Sequence, residues 1–144
     1  MPEGIRPALK GIADTGFLIA FLDRNDSYHS WAVSVAERIE TPLLTCEAVL
    51  AETAFHRQSV AVVLEMINLG MVQLAFDCSA HLSALSSLAT RYADRKPDLA
   101  ALCLIRMSEL YPKHVVITMD ERDFRVYRRN KRETIPILCP RSVQ

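Results

Sequence analysis

Four carboxylates invite a chemical reading, two of them directly after apolar, strand-like runs. Asp14 follows directly on Gly11-Ile12-Ala13, and Asp120 on Val115-Val116-Ile117-Thr118-Met119. In an open α/β sheet, ligands gather outside the carboxyl ends of the strands, so an acid at such a junction is better placed to react than one elsewhere. Glu52 lies inside the otherwise apolar helical stretch 48–55, where it faces either solvent or the interior, and Asp98 opens a helical pattern over 97–110. Acids brought together repel one another and raise each other's pKa unless a cation neutralises them, so the set implies a metal. All-oxygen donors select a hard ion: magnesium, or manganese in its place. Zinc would want grouped His or Cys, and His29, His56, His81 and His114 are scattered, as are Cys46, Cys78, Cys103 and Cys139. Such a metal polarises a phosphoryl oxygen, lowers the pKa of a bound water to make the nucleophile and steadies the leaving oxygen. Taken singly, each acid also has a plain reading: Asp14 and Asp98 as helix caps, Asp120 as a turn residue.

The elements that must position these acids alternate along the whole chain. Short apolar runs over 8–13, 43–45, 72–76, 115–118 and 135–138 read as strands, of the kind that parallel strands covered on both faces require. Between them, 15–22, 30–39, 47–55, 59–69, 80–92 and 97–110 read as helices. Thr15 or Asp14 can cap the first of these, Gly70 stops the fourth, and Pro97 suits a first helical turn. The alternation predicts an α/β fold built on a mostly parallel, about five-stranded sheet. With 144 residues, half of them hydrophobic, one domain over 1–144 is expected.

Composition narrows the class. Seventeen basic residues balance 17 acidic ones, so whole-molecule charge points to no partner. Locally it does: the stretch 121–132 sets six basic residues against two acids. Arg128, Arg129, Lys131 and Arg132 read equally well as contacts to a phosphate backbone or as a solvated surface, with Arg95 and Lys96 beside Asp98 as second candidates. The first ten residues lack the apolar core of a signal peptide and no run is long enough to span a bilayer, so a cytoplasmic protein without membrane contact is expected. The separated cysteines read as reduced, buried thiols. Trp31, Phe17, Phe21 and Phe55 fall on helical apolar stripes and read as core. Thr15 and Thr118 are hydroxyls placed to hydrogen-bond the acids beside them.

Several segments also resemble one family in its own order. Ala13-Asp14-Thr15-Gly16-Phe17-Leu18-Ile19-Ala20-Phe21-Leu22 is similar to the opening of PIN domains, including the VapC-type toxins, in which an Asp ends the first strand and Thr or Ser follows. Asn25-Asp26-Ser27-Tyr28-His29-Ser30-Trp31-Ala32 resembles the segment after the first helix. Leu43-Leu44-Thr45-Cys46-Glu47-Ala48-Val49-Leu50-Ala51-Glu52 resembles the second strand and the helix with the second acid. Thr118-Met119-Asp120-Glu121-Arg122-Asp123-Phe124 with Tyr127-Arg128-Arg129 resembles the closing motif. The resemblance implies a three-layer α/β/α fold, a magnesium- or manganese-dependent endoribonuclease, an antitoxin-like protein partner and a homodimer. It also implies that Asp14, Glu52 and Asp120 are metal-site acids, with Asp123 an auxiliary acid nearby.

The third acid departs from the family pattern. That acid usually stands in a stretch like Asp-Leu-Ala-Asp-Ala, whereas Asp98-Leu99-Ala100-Ala101-Leu102 puts Ala101 at its position. Asp98 precedes it by three residues, on nearly the same helix face and about 4.5 Å along the axis. Asp98 therefore joins the candidate acids as a substitute, and a catalytically silent or weakened binding module becomes the competing expectation. Two other classes fit less well. An aspartyl-phosphate phosphatase wants a second Asp two residues after the first, where Gly16 stands, and no Gly-rich phosphate loop follows any strand.

Overall fold

The fold follows from five three- or two-residue apolar strands and the helices that join them. In the computed structural model, which describes residues 8–140, β1 (Gly11–Ala13), β2 (Leu43–Thr45), β3 (Val72–Leu74), β4 (Val115–Ile117) and β7 (Ile137–Leu138) form one sheet in the order β3-β2-β1-β4-β7. Every pairing in it is parallel. All three residues of β1 and of β2 are buried. Because neighbouring strand residues point to opposite faces, both faces are covered, as the α/β/α expectation requires.

The chain moves outward from β1 to β2 and β3, then returns to place β4 on the other side of β1. The strand order thus reverses between β1 and β4, and the crevice at that switch point is where an α/β sheet has room for a ligand. Ile12 pairs with Val116 and Ala13 with Ile117, and the Asp14 N–H donates to the Ile117 carbonyl at 3.0 Å. The ladder therefore delivers Asp14 and Asp120 to the same end of two adjacent strands.

Helices α1 (Thr15–Leu22), α2 (His29–Ala36), α3 (Glu47–Arg57), α4 (Val60–Asn68), α5 (Leu82–Arg91) and α6 (Leu99–Leu110) make the connections. The expected elements are all present, with ends moved by capping. Ser59 caps α4 through its hydroxyl rather than entering it, and Gly70 follows with a left-handed φ of 75°. Pro97 precedes α6 instead of opening it, because Asp98 is the N-cap and accepts from the Ala101 N–H. The expected helix over 80–92 begins as a tight 3-10 turn, Cys78–His81, capped by Asp77. Small elements that were not expected include a 3-10 turn (Ala93–Arg95), α7 (Glu121–Phe124) and the antiparallel hairpin of β5 (Arg128–Arg129) with β6 (Glu133–Thr134). Both strands of that hairpin are two residues long, too short for an alternating pattern to register. No helix among the described residues is long and apolar enough to cross a membrane.

The core joins Ile12, Phe17, Leu18, Val49, Leu104, Ile105, Met107 and Ile117, all nearly inaccessible. Phe17 stacks with Phe21 and meets Trp31 edge-on at 6.1 Å, which places those three aromatics as expected. Phe55 is a correction: it is 80% exposed. Its helix turns another face inward, burying Val49, Leu50, Thr53 and Ala54, and Phe55 joins Val60, Leu64 and Leu74 along an open apolar groove between α3 and α4. In the sheet centre, a Cβ on Gly11 would come within 2.6 Å of Ile117 Cδ1 and 3.0 Å of Leu43 Cδ2. Gly11→Ala is expected to cost about 1–3 kcal/mol through overpacking, measured by urea unfolding; a loss under about 0.5 kcal/mol would mean that β4 yields at that point.

Candidate metal centre

Each candidate acid is held by the local structure its own neighbours create. Asp14 caps α1, its Oδ1 accepting from the Thr15 N–H at 2.7 Å, while its Oδ2 accepts from Thr118 Oγ1 at 2.7 Å. Thr118 Oγ1 in turn accepts from the Asp120 N–H at 2.9 Å, so one buried hydroxyl links the acids at the ends of β1 and β4. Glu52 lies in the second turn of α3, where its Oε2 accepts from Thr15 Oγ1 at 3.1 Å. Asp98 Oδ1 takes the Ala101 N–H at 2.8 Å, and Asp120 Oδ1 takes the Asp123 N–H at 3.2 Å, capping α7. The capping bonds of Asp98 and Asp120 each take one carboxylate oxygen, whereas both oxygens of Asp14 are engaged; each oxygen keeps a further lone pair, so the plain and the chemical readings are compatible.

Asp14, Glu52, Asp98 and Asp120 line one cavity of about 430 Å³, together with Thr15, Gly16, Ala100, Ala101, Met119 and Phe124. Four carboxylates line this space and, among the described residues, no basic side chain does. Burial pushes the Asp14 carboxyl above its ordinary value, with the charges of Asp98 and Asp120 adding to the rise and the Thr118 and Thr15 hydrogen bonds opposing it. Burial likewise raises Glu52, followed by the charge of Asp98. Asp120 is raised by the partial burial of its carboxyl and by Asp123 and Asp98, against the pull of the Asp123 N–H. The lining side chains thus offer oxygen donors and no cationic group among the described residues, a chemistry that fits a hard divalent ion. As placed, no three carboxylate, imidazole or thiol groups among the described residues converge closely enough to hold one.

Two residues of the site carried no signal of their own. A Cβ on Gly16 would lie 2.7 Å from Met119 Cγ, so only glycine lets the start of α1 approach the segment after β4. Nothing short of the tertiary contact announces that need. Arg122 lines a polar cleft with Asp94, Arg95 and Asp123, although within 121–132 it looks like any other basic residue.

The remaining expected residues separate into two groups. Asp123 does not line the acid cavity; it pairs with Arg95, Nη1 to Oδ1 2.6 Å. Arg95 and Lys96 nonetheless lie just before Asp98 in the chain, Lys96 exposed to solvent. Arg129 is corrected as a candidate phosphate contact. Its guanidinium is buried, donates to the Ser108 carbonyl at 3.0 Å and the Pro112 carbonyl at 3.2 Å, and pairs with Glu133. Arg128 is half-buried and donates to the carbonyls of Arg125, Val126 and Tyr127. Lys131 and Arg132 are exposed, but the Asn130 N–H donates to Glu109 at 2.6 Å. That ties the hairpin turn to the end of α6 opposite Asp98, and a 12-residue helix is about 18 Å long.

No family model matches the chain, and no curated protein matches it.

The raised carboxyls give a signed pH dependence. An acid whose folded pKa lies above its unfolded value binds its proton more tightly when folded. The stability it confers is complete below the ordinary values of 3.8 for Asp14 and Asp120 and 4.5 for Glu52, and is lost as pH rises through the raised folded values. Glu52→Gln, which keeps an acceptor for Thr15, is accordingly expected to raise stability at neutral pH by about 0.5–1 kcal/mol in metal-free buffer. Thermal unfolding at pH 7 and at pH 4 checks this, since the gain should vanish at the lower pH.

Proposed function

We propose that this chain is a magnesium- or manganese-dependent endoribonuclease of the PIN type, hydrolysing RNA phosphodiester bonds at the cavity between β1 and β4. One observation carries the reading: Asp14, Glu52, Asp98 and Asp120 come from four separate elements to line a single cavity that contains no cationic side chain. Their carboxylates would hold the ion, Asp14 and Asp120 from the strand ends and Glu52 and Asp98 from the two helices. The ion, when bound, supplies a water of lowered pKa and a Lewis acid for the phosphoryl oxygen.

The chain's own residues account for the rest. Thr118 and Thr15 orient the Asp14 and Glu52 carboxylates, so that fewer side-chain rotamers must be fixed when substrate arrives. Burial and mutual repulsion keep these acids ready to exchange protons for a cation, which makes ion binding proton-linked. Arg95, Lys96 and Arg122, next to the acids in chain or cleft, would meet the RNA phosphates, a contact that strengthens at low salt. Lys131 and Arg132, at the other end of α6, would contribute little. The antitoxin-like partner, the homodimer and the cytoplasmic location belong to this proposal on the sequence resemblance and composition alone. The apolar groove between α3 and α4 is surface of the kind such a partner would cover.

A specific observation favours a second reading, a silent or weakened PIN-fold binding module. Ala101 lines the cavity without a ligand atom, its N–H occupies one oxygen of Asp98, and among the described residues no three ligands converge as placed. One experiment separates the two. With manganese or magnesium present, purified protein should cleave single-stranded RNA, and Asp14→Asn should reduce the rate by at least about a hundredfold. If the chain cleaves nothing with either ion but Ala101→Asp gains cleavage, the silent module is correct. Absence of cleavage and of manganese binding in both forms, followed by electron paramagnetic resonance, rules out the metal centre itself.

A further inference from the structure

Three of the four cysteines, distant in sequence, meet beside the acid cavity. Cys46 ends the turn after β2 and starts α3, Cys78 opens the 3-10 turn after β3, and Cys103 lies in the middle of α6. All are free thiols. Cys78 Sγ lies 3.4 Å from Cys103 Sγ, and the Cys46 thiol also neighbours Cys103. Cys103 is wholly buried whereas Cys78 is only partly so. We propose that Cys78 and Cys103 form a peroxide-oxidisable pair that closes into a reversible intramolecular disulfide, fastening α6 to the Cys78–His81 turn.

The geometry favours closure. A disulfide bond is about 2.05 Å long, so the two sulfurs need approach by only about 1.4 Å, an adjustment that rotation of the Cys78 side chain on its short turn can supply. Cys103 cannot move as freely, being fixed in a 12-residue helix whose neighbours are core. The order of events follows from access. Cys78, only partly buried, is the sulfur that an oxidant reaches first. Cys103 is wholly buried, which shields it from the oxidant but leaves it 3.4 Å from the Cys78 sulfur.

The step balances with hydrogen peroxide as the oxidant. The Cys78 sulfur attacks one peroxide oxygen, the O–O bond breaks, and a sulfenic acid and one water result. The Cys103 sulfur then attacks the Cys78 sulfur, the S–O bond breaks, and the Cys103 proton leaves with the hydroxyl as a second water. Two thiols lose two electrons in all, and a dithiol reductant reverses the change by exchange. Closure ties the turn after β3 to the helix that begins at Asp98, five residues before Cys103, and so braces one wall of the acid cavity. The pairing itself does not depend on the metal reading of that cavity.

The test uses the full chain exposed to excess hydrogen peroxide at neutral pH, alkylated, digested without reduction and analysed by mass spectrometry. The expected result is a peptide pair joined through Cys78 and Cys103, lighter by two hydrogens, recovered as separate peptides after dithiothreitol. Oxidation should also raise the melting midpoint by several degrees, since the link closes a loop of about 25 residues. Cys78→Ser should abolish both the linked pair and the shift, and Cys139→Ser should leave both intact. Over-oxidation of Cys78 to a sulfinic acid without a link, a link through Cys46 or Cys139 instead, or a link only between two chains would overturn the proposal.

Discussion

Repulsion among four carboxylates around one cavity is the constraint to which the rest of this structure answers. Charges of one sign do not gather in a partly dry space unless the backbone holds them there and something offsets the cost. The holding is done by elements: adjacent parallel strands deliver Asp14 and Asp120, and α3 and α6 deliver Glu52 and Asp98. Part of the cost is offset by Thr118, which donates to Asp14 while accepting the Asp120 N–H, and by Thr15, which donates to Glu52. The remainder appears as carboxyls raised above their ordinary values, by burial first and by neighbouring charges second. A site of this kind is a place of stored instability, relieved by protons or by a cation.

The same constraint explains the division of labour among the basic residues. Among the described residues no basic side chain lines the acid cavity; a guanidinium there would offset the charge of the carboxylates and lower their raised pKa values. The nearby arginine, Arg95, is paired instead with Asp123, outside the cavity. Arg129 serves the fold, satisfying carbonyls at the far end of α6 where the helix leaves its last acceptors without intrahelical donors. A basic run in the sequence thus divides into residues that close a hairpin, cap a short helix and face solvent.

Helix α6 concentrates the open chemistry of the molecule. Its first residues set one acid of the cavity: Asp98 caps the helix by accepting the Ala101 N–H, which restrains the carboxylate. Its middle presents Cys103 to two other thiols. Its end receives the hairpin through Ser108 and Glu109. A shift of this helix would be felt by all three at once, because it is buried along Leu102, Cys103, Leu104 and Ile105 and cannot adjust one turn alone.

What the sequence determined by itself was local. Apolar runs ending in Asp14 and before Asp120 announced strand ends, β2 was legible to the residue, and the alternation of patterns was enough for a parallel α/β sheet. These features are encoded in neighbouring residues, where period, cap and turn chemistry act over one or two turns. Only the tertiary structure decided which acids share a cavity, since Thr118 reaches Asp14 across 104 residues and Thr15 reaches Glu52 across 37. It also turned Phe55 outward, buried Arg129, required a glycine at position 16 and brought Cys78 to Cys103. Spacing along the chain carries no record of such encounters, because they depend on the strand order and on how helices pack across the sheet.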